Sequence, residues 1–178
     1  NQVVDFFSYY KMILILICGG IALLVILLRF VSKTMPLHKS YAYIPMGIYA
    51  FFVILSYLLS EQKQFALLGY NDRFEGTLPL LGYLVLLFFV INRINTEKDI
   101  HLWIVRPLAA ASVLLSILGL SQALDHDFFR SVIGKKLITP SWFWPNVDSL
   151  NFTFQNKEIY QTVYNINYVS FYLTLLIP

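Results

Sequence analysis

Long apolar runs alternate with short polar stretches along most of the chain. The first run, residues 12–30, carries no charge before Arg29. About 20 residues at 1.5 Å each match a bilayer core of roughly 30 Å. Similar runs cover residues 41–60, 77–91 and 103–124, and another begins at residue 168. The pattern predicts an all-α, polytopic transmembrane helix bundle in a single domain, with about four full spans and the start of a fifth (168–178).

Two segments depart from this simple pattern. The run 77–91 is short for a membrane span. It can cross only if the helix tilts, if the nearby apolar Phe65–Leu68 contributes, or if the bilayer thins locally. The connection 125–167 is too polar to span, but Trp142, Trp144 and several other aromatic residues make it unlike a disordered linker. We expect an ordered loop that contains a short interfacial helix.

The composition agrees with a lipid environment and excludes several classes of function. Charged residues are 13% of the chain and hydrophobic residues 58%, whereas a soluble domain has about 25% charged residues. The basic residues are not clustered, which argues against a nucleic-acid partner. Cys18 is the single cysteine and excludes an internal disulfide. The adjacent residues Asp125, His126 and Asp127 do not have a metal-site spacing, so no metal is predicted.

Basic residues in the short connections predict the orientation, because such residues accumulate on the cytoplasmic side. The connections after the first and third runs carry six of them, and the short segments of the opposite face carry three. The loop 125–167 has four of its own (Arg130, Lys135, Lys136 and Lys157), but loops of that length follow the rule less closely than short ones. The loop with Arg73 and the loop 125–167 are therefore predicted to be extracytoplasmic. The six are Arg29, Lys33, Lys39, Arg93, Lys98 and Arg106, and the three are Lys11, Lys63 and Arg73.

The stretch LLGYNDRFEGTLPLL, residues 67–81, places an arginine at the mouth of a membrane helix. Gly69 and Gly76 permit turns that other residues resist. Arg73 presents a planar fork of donors suited to phosphate or pyrophosphate, and Asp72 and Glu75 could hold that fork in place. The alternative is a solvated loop with a local ion pair.

A second polar pair, Asn165 and Asn167, comes just before the last apolar run, in QTVYNINYVSFYLTLLIP. One interpretation is helix capping. The other places both amides at the rim of a substrate cavity.

Taken together, the two stretches resemble motifs of the O-antigen ligase and O-antigen polymerase family. GYNDRFEG resembles the pattern G-x-x-x-R-[YF]-x-G, with Gly69, Arg73 and Gly76 at its specific positions. YNINYVSFYLTLLIP resembles N-P-N-Y-x-[AG]-x-[YF]-L-x-x-x-[LI]-P, with Asn165, Asn167 and Tyr168 matching. Two positions depart from that pattern: Ile166 replaces its proline, and Tyr164 stands where a small residue is usual.

The resemblance implies an all-helical bacterial glycosyltransferase of the cytoplasmic (inner) membrane. Such enzymes transfer a glycan from an undecaprenyl-pyrophosphate carrier to a cell-envelope acceptor on the outer side, without a metal or nucleotide cofactor. By position in the motif, Arg73 would contact the pyrophosphate, with Glu75, Asn165 and Asn167 as further substrate-binding residues. A histidine of a later outer loop, absent from this chain, assists the acceptor in the family.

Two other functions remain open from the sequence. A transporter or flippase subunit would favour paired charges or broken helices at mid-membrane, and the apolar runs contain neither. A non-catalytic anchor or assembly protein would tolerate the loss of Arg73. Because the last apolar run stops at Pro178, we expect the chain to be a piece of a longer protein that is inactive by itself. Ligase and polymerase share these motifs and are not distinguished.

Overall fold

The computed structural model describes residues 6–34, 37–70, 73–94, 96–152, 157–163 and 166–176. Within these ranges all regular structure is helical and no strand is present, which confirms the predicted all-α class. The chain divides into two compact units, Asn1–Asp99 and Ile100–Pro178.

Four helices lie wholly within the described residues of the first unit: α1 (Phe6–Val31), α2 (Tyr43–Leu59), α3 (Lys63–Leu68) and α4 (Thr77–Arg93). α1 packs along α4, and α2 and α3 also contact α4. The α1–α4 crossing is close because glycines meet there: a Cβ atom added to Gly19 would lie 3.2 Å from the Cα atom of Gly82. Small residues of this kind allow apolar helices to approach closely.

A buried amide ties the end of α4 to the start of α2. Asn92 is 4% exposed, and its Oδ1 atom accepts hydrogen bonds from the His38 backbone N–H and the Tyr43 hydroxyl, both at 3.1 Å. Its Nδ2 atom donates to the carbonyl of Phe88 at 2.9 Å. A buried amide must be paired in this way, so the contact fixes one end of the α2–α4 pair.

The long helix α5 (Glu97–Ala123) begins at the end of the first unit and continues through the second. Residues His101–Val105 form a π-helical turn within it. Pro107 follows this turn and lacks a backbone N–H for the usual helical hydrogen bond. The helix starts earlier than predicted (residue 103), because hydropathy does not detect its polar first turns.

After α5 the chain forms short elements rather than a further long helix. A 3-10 helix (Phe128–Arg130) leads to α6 (Val132–Ile138), and a second 3-10 helix covers Ser141–Ser149. The helix α7 (Ile166–Leu176) ends the described part. The described residues of the predicted loop 125–167 thus include one short α-helix and two 3-10 helices, while residues 150–152 and 158–160 have no regular structure. The interfacial position expected for the short helix stays a prediction.

Two helices, α1 and α5, are long and apolar enough to cross a membrane. Only 11% of the apolar stretch of α1 and 6% of that of α5 is buried, whereas the core helix of a soluble protein is mostly buried. α2 and α4 are apolar helices of 17 residues each, about 26 Å long at 1.5 Å per residue. Of the four predicted full membrane spans, those that correspond to α1 and α5 thus have the length needed to cross a bilayer.

Candidate functional site

The loop between α3 and α4 is closed by its two glycines. Gly69 directly follows α3 and has φ +94°, a backbone conformation that L side chains rarely adopt, and its N–H donates to the Phe65 carbonyl at 2.8 Å. Gly76 directly precedes α4, and a Cβ atom there would overlap backbone atoms of Leu68 and Gly69. The chain therefore meets itself at these two positions, and only glycine fits at either.

Between the glycines, Phe74 anchors the loop to α1. Its ring contacts the Tyr9 ring edge-on, with centroids 5.4 Å apart, and its backbone has φ 53°. The N–H groups of Arg73 and Phe74 both donate to the Tyr70 carbonyl, at 3.1 and 2.8 Å. The Phe74 side chain is thus directed toward the protein, while that of the preceding Arg73 is exposed.

Two further contacts fix the loop against α3. The buried Thr77 donates its hydroxyl to the Ala66 carbonyl at 3.0 Å. The Tyr70 ring stacks on that of Phe65, with centroids 4.7 Å apart, and its hydroxyl donates to Gln62 at 3.1 Å. The start of α4, the loop and α3 therefore form one connected structure.

The loop borders a cavity of about 600 Å³ that lies between α2, α3 and the start of α4. Four of the residues singled out from the sequence line it: Gly69, Arg73, Glu75 and Gly76. The side chains of Arg73 and Glu75 are exposed. Across the described residues, no ion pair or hydrogen bond engages the Arg73 guanidinium group. Asp72, the other acid expected to hold it, lies outside the described residues.

Sequence reasoning missed several polar groups of the same cavity. Ser56 in the last turns of α2 and Ser60 directly after that helix line it, and Tyr70 and Thr77 complete its polar lining. Their spacing is a signal that was available: Ser56 and Ser60 are four residues apart in an otherwise apolar run, so they share a helix face. The cavity therefore combines one guanidinium group, one carboxylate and hydroxyl groups.

The second predicted segment belongs to the other unit. Asn167 and Tyr168 lie in the first turn of α7, and the Asn167 side chain is exposed. Asn165 lies outside the described residues, so its expected role as a cap or a substrate contact stays a prediction. Arg73 and Asn167 are in different compact units.

The connection after α5 is tied to the end of that helix by Gln122, which is 2% exposed. Its Oε1 atom accepts from the backbone N–H groups of Tyr160 (3.1 Å) and Gln161 (2.7 Å), and its Nε2 atom donates to the Gln161 carbonyl (3.2 Å). The Tyr160 hydroxyl donates to the Asp127 carboxylate at 2.5 Å. Burial of Tyr160, together with this bond, raises the pKa of its phenol.

Asp127 therefore has a structural role. Besides Tyr160, it accepts from the Phe129 N–H at 3.0 Å and pairs with Arg130 at 3.3 Å. Over the ranges that the structure describes, His, Cys, Asp and Glu side chains form no group of three that could hold a metal ion.

No protein-family model, no curated protein and no solved structure matches this chain. The resemblance to O-antigen ligases and polymerases therefore stays a prediction from the two motifs.

Proposed function

We propose that this chain is part of an inner-membrane glycosyltransferase that transfers a glycan from an undecaprenyl-pyrophosphate carrier to an acceptor of the cell envelope. The observation that carries the proposal is the position of Arg73 at a cavity of about 600 Å³ beside the glycine-closed loop. A cavity of about 300–1,000 Å³ is the usual size of a small-ligand site. The motif that suggested Arg73 thus coincides with a space in which a ligand can bind.

A membrane location is supported by the two long helices. Apolar side chains cover the exposed surfaces of α1 and α5, for example Leu24, which is 59% exposed, and Leu114, which is 64% exposed. Water solvates such surfaces poorly, and lipid is the solvent that suits them. We propose a multi-pass arrangement in which the 17-residue helices α2 and α4 also cross, with local thinning of the bilayer.

The chemistry assigned to Arg73 is electrostatic. In the transfer, an acceptor hydroxyl oxygen bonds to the anomeric carbon of the glycan and loses its proton, while the bond from that carbon to the pyrophosphate oxygen breaks. Negative charge therefore develops on the leaving phosphate oxygen. A guanidinium group offers two parallel N–H donors to such oxygens. An arginine that is free of protein partners within the described chain keeps those donors for the substrate. Glu75, Ser56 and Ser60 line the same cavity, and we assign them to the sugar next to the phosphate.

Replacing Arg73 tests this function. In the intact protein, Arg73→Ala should lower the transfer rate by about 100-fold, the typical effect of losing one preorganised donor. The carrier-linked glycan should accumulate while the transferred product disappears, at matched abundance of the protein in the membrane. Arg73→Lys should restore part of the rate, because it keeps the charge and loses the fork.

The matched control is Arg29→Ala, an exposed arginine in the last turn of α1. This variant should transfer glycan at the wild-type rate. Unchanged transfer in Arg73→Ala would reduce Arg73 to a loop residue and favour an anchor or assembly role. If the intact wild-type protein transfers no glycan to any envelope acceptor, the transporter function becomes the better proposal.

A further inference from the structure

Three apolar side chains of the short helix α6 are exposed. Val132, Ile133 and Leu137 are 52%, 73% and 65% exposed. Gly134 and Ile138, on the opposite side, are buried. Ser131 fixes the start of the helix, because its Oγ atom accepts from the Gly134 N–H at 3.0 Å. The exposed apolar positions are therefore held in a defined orientation.

Lys136 and Trp144 complete this surface, which we call the α6 face (Val132, Ile133, Lys136, Leu137 and Trp144). The Lys136 ammonium lies 6.0 Å from the centre of the half-exposed Trp144 ring. The indole N–H donates to the carbonyls of Lys136 (3.1 Å) and Thr139 (3.2 Å). The indole N–H of Trp144 thus has hydrogen-bond acceptors within the protein, and the exposed apolar part of its ring can contact lipid.

The α6 face is attached firmly to the end of α5. Asp127 orders the 3-10 helix that packs against both α5 and α6. Asp127 also bonds to Tyr160, which in turn is held by Gln122 in the last turns of α5. Hydrogen bonds through Asp127 and Tyr160 therefore link the 3-10 helix beside α6 to the end of α5.

We propose that the α6 face lies in the boundary between the headgroups and acyl chains of the bilayer that α5 crosses. The end of α5 is likewise apolar and exposed, at Leu120 in its last turn and at Leu124 directly after it, each 62% exposed. A lysine among apolar residues suits this boundary, because its methylene stem lies in the apolar layer while its ammonium reaches anionic headgroups. Lys135 adds a second positive charge beside it.

Lipid fits this surface better than a protein partner does. A protein interface that covered Lys136 would have to supply a buried acid for it, whereas the bilayer boundary supplies phosphate and water. The inference rests on the membrane location proposed above and does not depend on glycan transfer.

Spin labels on the intact protein in nanodiscs with anionic lipid test the inference. Single cysteines replace Ile133 or Leu137 in a background without native cysteines, which includes Cys18→Ser. Collision rates with oxygen, which concentrates in the acyl region, are compared with those of a water-soluble nickel chelate. A label at the exposed Ser149 is the aqueous control, and a label at the exposed Leu114 of α5 is the bilayer control.

At Ile133 and Leu137 the ratio of oxygen to nickel collisions should be several-fold higher than at Ser149 and lower than at Leu114. A ratio at Ile133 equal to that at Ser149 would overturn the inference, as would protection from both reagents, which indicates a protein partner. If a label at Leu114 gave the same ratio of oxygen to nickel collisions as the aqueous control at Ser149, the membrane location would be overturned as well. Glycan transfer by the wild type is measured separately, so its failure leaves these results interpretable.

Discussion

Arg73 owes its position to the residues on either side of it. Phe74 turns toward α1 and packs on Tyr9, so the guanidinium group of Arg73 remains at the cavity. Gly69 and Gly76 bring the two ends of the loop into backbone contact. The segment GYNDRFEG of this chain thus has a physical explanation: two glycines close the loop, Phe74 anchors it and Arg73 is left at the cavity.

Closure of the loop can be tested at Gly76. Gly76→Ala places a methyl group against the backbone of Leu68 and Gly69, which cannot move as a flexible side chain can. We expect glycan transfer to fall at least as far as in Arg73→Ala, because the loop must open to relieve the overlap. The assay is transfer at matched membrane abundance. Gly20→Ala is the control, since a Cβ atom there meets nothing within 4 Å. Wild-type transfer by Gly76→Ala would show that closure is not needed.

The positions of the long apolar helices could be predicted from hydropathy alone, because they depend little on tertiary packing. The predicted runs 12–30, 41–60 and 77–91 correspond to α1, α2 and α4. The six-residue helix α3 was not predicted, because one and a half turns leave no periodic pattern. The polar first turns of α5 were missed for a similar reason: hydropathy finds the apolar part of a helix and not its polar extension.

The site was only partly predictable. Gly69, Arg73, Glu75 and Gly76 form a continuous motif, so the sequence alone was sufficient to select them. The contribution of Ser56 and Ser60 depends on how α2 is rotated against α4, and that rotation is set by packing. The Gln122 network was not predicted either, because its partners are 38 and 39 residues away along the chain.

At the level of helices, the packing of α1 on α4 can be tested by comparing substitutions at two neighbouring glycines of α1. Gly19 faces Gly82 closely, while the neighbouring Gly20 has open space. Gly19→Leu should lower the free energy of unfolding by about 1–3 kcal/mol, the usual cost of overpacking. Gly20→Leu should be neutral or stabilising, because leucine favours helix more than glycine does. Thermal unfolding of the intact protein in detergent gives both values. Equal effects of the two substitutions would contradict this packing.

At the scale of the whole molecule, the proposed topology places the Arg73 loop and the connection after α5 on the outer face. Single cysteines at Ser149 and Lys39, both exposed, distinguish the two sides in a Cys18→Ser background. An impermeant maleimide added to intact cells should label Ser149→Cys, and Lys39→Cys should react only after the membrane is opened. Labelling of Lys39→Cys from outside would reverse the topology and separate Arg73 from an extracytoplasmic donor.

The most direct measurement is the binding of a polyprenyl pyrophosphate to the intact protein in nanodiscs. Wild type and Arg29→Ala should bind it equally, and Arg73→Ala should bind about 10- to 100-fold more weakly, as expected for charged hydrogen bonds worth about 1.5–3 kcal/mol. The corresponding polyprenol, which lacks phosphate, should bind wild type and Arg73→Ala alike. Equal affinity of wild type and Arg73→Ala for the pyrophosphate would contradict the assignment of the cavity as the carrier-pyrophosphate site.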